Sequence, residues 1–210
     1  MKGYNKIFWG LIFVVFNINL GSINILPDFL GYFLISIGLS AIRNEYEHDS
    51  FKLAAIIANI LGAYTLITSI LAFVSGGSYE IFNNNVFNIG LFLLVSAANL
   101  VMEFNILSGT ASIFKDMEKL KEAEETYKIQ RNYTYLCIIA LFFISIIFNT
   151  SNISNSTIAL IMVIYYLIVR IYYISVIRRI IKFFDNETIG YETDMANENL
   201  DDDNNQEGKL

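Results

Sequence analysis

Apolar residues run in long blocks along this chain, and the polar residues between them fall into short, separated clusters. The blocks predict helices at about 5–20, 28–43, 51–75, 86–108, 133–149 and 156–177. A helix rises 1.5 Å per residue, so crossing about 30 Å of hydrocarbon takes roughly 20 apolar residues. The third block, FKLAAIIANILGAYTLITSILAFVSG, reaches that length. So do the fourth, VFNIGLFLLVSAANLVMEFNIL, and the sixth, TIALIMVIYYLIVRIYYISVI. The fifth, YTYLCIIALFFISIIFN, is shorter and carries tyrosines at its rim, where amphipathic rings suit the membrane boundary. The first two are each about 25 Å long and marginal as separate spans.

The only proline, Pro27, follows the polar run NINLGSIN and precedes Asp28. Its ring clashes with a preceding helical turn and it lacks an amide hydrogen, so no helix runs through it. It suits the first helical position, and an acid beside it complements the positive end of the helix dipole. Pro27, Asp28 and Gly31 are therefore read as the turn of a helical hairpin, with helix 5–20 before it and helix 28–43 after it. A cleaved signal peptide is the rival, since Lys2 and Lys6 precede an apolar core from Ile7 to Phe16. NINLGSIN lacks small residues at both positions a peptidase needs, and a second apolar helix follows at once. The uncleaved hairpin is the favoured reading.

Composition agrees with a membrane protein: 55% of residues are hydrophobic and 16% charged, against about a quarter charged in soluble domains. The net charge of −6 conceals a division. Nine of the twenty acids lie at 185–210, and the remaining body carries 13 bases and 11 acids. Neither part calls for nucleic acid. With six spans and the N-terminus inside, every Lys and Arg falls on or near the cytoplasmic side, and the outer loops at about 20–27, 76–85 and 150–155 contain none. Lys and Arg in short loops set orientation, so both termini are expected in the cytoplasm.

Two segments lie outside this pattern. In 109–131, Ile113, Met117, Leu120, Ala123 and Tyr127 fall on one helical face, and Glu124 with Lys128 forms an i,i+4 pair. It is read as an amphipathic cytoplasmic connector bending near Gly109. The segment 185–210 is acidic, rich in Asn and without periodicity, so disorder is expected there. Residues 1–184 then form a single transmembrane bundle.

Catalytic signatures are lacking: there is no GxSxG, no HExxH, no phosphate-binding glycine loop and no aspartate cluster suited to Mg²⁺. Glu124 and Glu125 resemble the paired glutamates of intramembrane CAAX-type proteases, but Ile129 stands where that motif needs arginine. The single histidine, His48, lies in a polar linker, and the single cysteine, Cys137, lies in an apolar helix. No enzyme, cofactor or metal site is expected.

Polar groups inside spans are costly and therefore informative. Asn88, Ser96, Asn99 and Glu103 share a face of the fourth helix; Ala55, Asn59, Gly62 and Ser69 share one of the third; Tyr166, Arg170 and Tyr173 share one of the sixth. Glu103 and Arg170 lie at matching depth and are candidates for an ion pair, with separate snorkelling to the headgroups as the rival. The candidate interior polar site is Asp28, Asn59, Asn99, Glu103 and Arg170. Asp28 is also readable, and more simply, as a helix-start residue alone.

Leu26, Pro27, Asp28, Phe29, Gly31, Tyr32 and Gly38, within INLGSINILPDFLGYFLISIGL, also carry a family resemblance. The stretch resembles the N-terminal LPDFxGY signature of small multi-pass membrane proteins of low-GC Gram-positive bacteria, a family without an assigned activity. The resemblance covers about a tenth of the chain and implies a bacterial inner-membrane location. The expected fold is thus an all-α, polytopic six-helix transmembrane bundle that begins with a helical hairpin and ends in an acidic tail. Two functions stay open: a small solute or ion transporter or permease component, and a non-catalytic membrane scaffold or sensor docking a partner through its connector. The lipid bilayer is the expected partner, and a protein partner or a second copy of the chain stays open.

Overall fold

The computed structural model describes the backbone of residues 2–16, 19–20, 23–24, 27–75, 85–149 and 155–207. Its helices are α1 (Lys2–Val15), α2 (Asp28–Glu45), α3 (Asp49–Val74), α4 (Asn85–Asp116), α5 (Leu120–Asn149) and α6 (Asn155–Glu207). Each packs on the next in sequence, and α6 packs back on α1, closing the ring. Among the described residues four helices are long and apolar enough to cross a membrane: Asp49–Val74, Gly90–Asp116, Leu120–Ile146 and Leu160–Glu187. The fold is all-α, with the membrane-spanning character expected.

The hairpin α1–α2 differs from the other helices. With 14 residues, α1 is about 21 Å long, too short to span alone, and α2 has polar residues at both ends. The expected six spans are thus four long apolar helices with a shorter hairpin packed against them. Between α1 and α2, the strands β1 (Asn19–Leu20) and β2 (Ile23–Asn24) pair antiparallel, Asn19 with Asn24 and Leu20 with Ile23. The rest of the expected NINLGSIN turn lies outside the described residues. Pro27 caps α2 with φ −70° and ψ 130°, and Asp28 is the first helical residue.

Glycine spacing explains how the hairpin closes. Gly3 and Gly10 recur at seven residues on α1, as do Gly31 and Gly38 on α2. A Cβ on Gly10 would lie 2.5 Å from the Gly31 carbonyl oxygen, and one on Gly38 would lie 2.6 Å from that of Gly3. Without side chains at these crossings the two backbones touch, which is how helices associate where no water drives them together.

The connector differs from its reading as one amphipathic helix bent near Gly109. Gly109 lies inside a continuous α4, with the Phe51 ring seated on it. The chain reverses at Met117–Lys119. Lys119 N–H donates to the Phe114 carbonyl (2.8 Å) and Glu118 N–H to that of Lys115 (3.0 Å), a Schellman cap with Glu118 at φ 61°. Ile113 is buried on α4, and on α5 Ala123 is buried while Leu120 and Tyr127 are exposed, so the expected single apolar face is divided between two helices. The expected disorder from 185 onward also differs: α6 runs on to Glu207. Extending an existing helix needs no new nucleus, and no proline interrupts 185–207.

Packing is uneven along the bundle. The buried positions of α3 are Phe51, Ala54, Ala58, Leu61 and Gly62, none beyond the middle turn of the helix. Among the described residues, those of α5 end at Ala140 and those of α6 begin at Val169. At the far end Phe73 and Val74 are 80% and 77% exposed. Gly62 faces Phe33, so α3 continues about 10 Å beyond the start of α2. The exposed bases Lys2, Arg43, Lys52, Lys128, Arg178 and Lys182 share the well-packed end, hereafter the charged end.

Two substitutions test these contacts by thermal unfolding in detergent. Gly10→Ala is expected to destabilise by about 1–3 kcal/mol, since its methyl meets backbone rather than a movable side chain. Glu118→Gly is expected to stabilise by on the order of 1 kcal/mol, because only glycine adopts a left-handed conformation without steric cost.

Candidate functional site

Helix α4 is where the bundle's polar groups converge. Its inward face carries Ser96, Asn99, Glu103 and Thr110, all buried, at spacings that keep them on one side of a 3.6-residue helix. Through them and Gly109, α4 meets each other helix. Tyr4 of α1 shares a 2.7 Å hydrogen bond with Thr110. Tyr32 of α2 donates to Asn99 Oδ1 at 2.9 Å. Phe51 of α3 covers Gly109. Tyr133 of α5 and Arg170 of α6 bind Glu103.

Glu103 is 1% exposed and Arg170 7%. An isolated charge at that depth would be prohibitive, and the surroundings compensate it. Arg170 Nη1 pairs with Glu103 Oε1, and the Tyr133 hydroxyl donates to Glu103 Oε2 at 2.6 Å. Arg170 Nη2 donates to the Tyr166 hydroxyl, and the guanidinium lies 4.9 Å from the centre of the Tyr166 ring. The Tyr173 hydroxyl donates to the Glu103 backbone carbonyl at 3.2 Å, while its ring packs against that of Tyr133 with centroids 4.8 Å apart. One turn away, Gln130 donates to the Phe104 carbonyl at 2.9 Å. Both carboxylate oxygens are thus occupied by protein donors.

Of the candidate interior residues, Asn99, Glu103 and Arg170 face the bundle interior, and the ion pair inferred from matched depth forms. Asp28 is half-buried at the start of α2, one turn before Tyr32. Asn59 does not join them. It is exposed, because α3 packs through the stripe Phe51, Ala54, Ala58, Leu61 and Gly62, which turns Asn59 away. The side chain of Asn88 lies outside the described residues.

The sequence reading placed Tyr133 at a membrane rim, and the structure places it in the core as the second donor to Glu103. Its signal was the triplet spacing from Gln130, which puts both polar residues on one face of α5. Toward the charged end the aromatic packing continues, with Tyr4 stacked on Phe184, Phe184 on Phe114, and Phe114 edge-on to Phe183. His48 pairs with Asp116 at 3.0 Å and Lys119 with Glu187 at 2.7 Å, fastening the loops of that end. Among the described residues no group of three His, Cys, Asp or Glu is placed to hold a metal.

The pair's role is measurable by a double-mutant cycle on thermal stability. Glu103→Gln and Arg170→Met are each expected to cost about 3–5 kcal/mol, as each leaves a buried charge unpaired. The double variant is expected to recover most of that loss. If the two losses simply add, the residues do not act as a pair. Comparison with protein-family models, curated proteins and solved structures finds no match to this chain.

Proposed function

We propose that the protein is a non-catalytic membrane scaffold, held rigid by the polar network of α4 and offering its charged end to a protein partner. The observation that carries this reading is the closure of the network: Glu103 has both oxygens bound by Arg170 and Tyr133, and Asn59 faces away. Residues that bind a passing solute need free hydrogen-bonding capacity on a wet path, whereas these are consumed in joining helices. Satisfied polar groups between helices in lipid act as packing contacts.

The gathering of exposed bases at one end supports a topology with that end in the cytoplasm. On this topology the docking surface is the start of α5, where Leu120 and Tyr127 stand exposed beside Glu124 and Lys128. An exposed aromatic and an exposed leucine amid mixed charge have the composition of an interface. The family resemblance of LPDFxGY supports a bacterial inner membrane as the location.

A permease is the second reading, and one observation favours it. Asp28, Tyr32, Asn99, Glu103 and Arg170 succeed one another along the bundle, giving polar groups at successive depths.

Two measurements separate the readings. A photo-crosslinking residue in place of Tyr127, in cells, is expected to give one discrete protein adduct, and one in place of the exposed Ile139 none. In proteoliposomes holding a pH-sensitive dye, proton flux is expected to equal that of empty vesicles. Flux that Glu103→Gln abolishes would replace the scaffold by the permease.

A further inference from the structure

At the charged end, residues of α4, α5 and α6 line a cleft of about 250 Å³, roughly eight water volumes. Glu122 and Glu125 line it from α5 and Arg179 from α6, with Ile129, Val176 and Phe183 completing the wall. Among the described residues no ion pair engages Glu122, Glu125 or Arg179, so both signs of charge face the cleft. Two acids on one wall and a guanidinium on the other match a ligand that is itself bipolar.

The position of the cleft narrows the ligand further. Along α6, the exposed residues from Leu160 to Tyr172 are apolar or aromatic, and the first exposed charges are Arg178 and Arg179. Along α5, the exposed residues from Ile146 to Tyr135 are apolar or aromatic, and charge begins at Arg131. The apolar band therefore ends beside the cleft, with Ile129 and Val176 on the membrane side and Glu122 away from it. In the sequence the apolar run of this helix extends from Ile158 to Ile177, about 28 Å, close to one hydrocarbon thickness. The cleft thus lies at headgroup depth.

We propose that this cleft binds an aminophospholipid of the adjacent leaflet, with its primary ammonium held by Glu122 and Glu125 and its phosphate by Arg179. The start of an acyl chain lies against Ile129 and Val176. A primary ammonium donates hydrogen bonds to carboxylates, which a quaternary ammonium does not. A headgroup without a cation leaves both glutamates repelling the phosphate. The site therefore selects phosphatidylethanolamine over phosphatidylcholine and phosphatidylglycerol, and it stands independently of the scaffold reading.

The test uses the full chain purified in mild detergent with equimolar phosphatidylethanolamine, phosphatidylcholine and phosphatidylglycerol, retained lipid being identified by native mass spectrometry. Phosphatidylethanolamine is expected to be retained about tenfold or more over either competitor, the effect of one to two charge-assisted hydrogen bonds. Glu122→Gln with Glu125→Gln is expected to abolish the preference, and Arg179→Gln to lower retention of all three lipids. Glu124→Gln, exposed on the same helix, is expected to change nothing. Equal retention of the three lipids overturns the proposal. So does a preference that survives the double glutamate variant, or that Glu124→Gln removes equally.

Discussion

A carboxylate and a guanidinium share the interior of an apolar bundle, and their mutual need governs much of the architecture. Glu103 without Arg170 would be a bare charge in a low-dielectric medium, as would Arg170 without Glu103. Their pairing fixes the rotation of α4 and α6 about their axes, because both side chains must point at one place. Tyr133 and Tyr173 then bring α5 and α6 to the same level of α4. Apolar packing alone tolerates rotation and sliding, since one leucine face resembles another. A buried ion pair with aimed donors does not.

Where α4 supplies register, the glycines of α1 and α2 supply proximity. Gly3 on Gly38 and Gly10 on Gly31 bring two backbones into contact and make the hairpin one thick element. That element packs on α3 and α6, and most of the buried residues of α3–α6 lie toward the charged end. The opposite ends present phenylalanine, valine and leucine outward, as helices do when lipid is their surroundings. The molecule is thus a tight, polar-locked base carrying apolar helix ends.

Much of this was legible in the chain. Segment length and apolar content sufficed for the four long helices, because a membrane span is a local property of about twenty residues. Pro27 marked the start of α2 to within one residue, because the restriction on φ and the missing N–H act where the proline stands. The depth of Glu103 and Arg170, counted along their helices, already suggested a pair. What misled was composition without context. The acidic stretch after 185 reads as disorder, and the 109–131 segment reads as one amphipathic face until a left-handed Glu118 divides it.

By itself, then, the sequence determined what depends on near neighbours: helix extents, the hairpin start, the gathering of bases toward one end, and the list of polar groups too costly to face lipid. Tertiary structure alone decided which of those groups meet. Asn59 and Asn99 look alike in the chain, each an amide in an apolar helix, yet one faces out and the other accepts from Tyr32. Helical periodicity states which residues share a face but not which face turns inward. That choice belongs to the partner helices, through the glycines that admit a backbone and the charges that require a counter-ion.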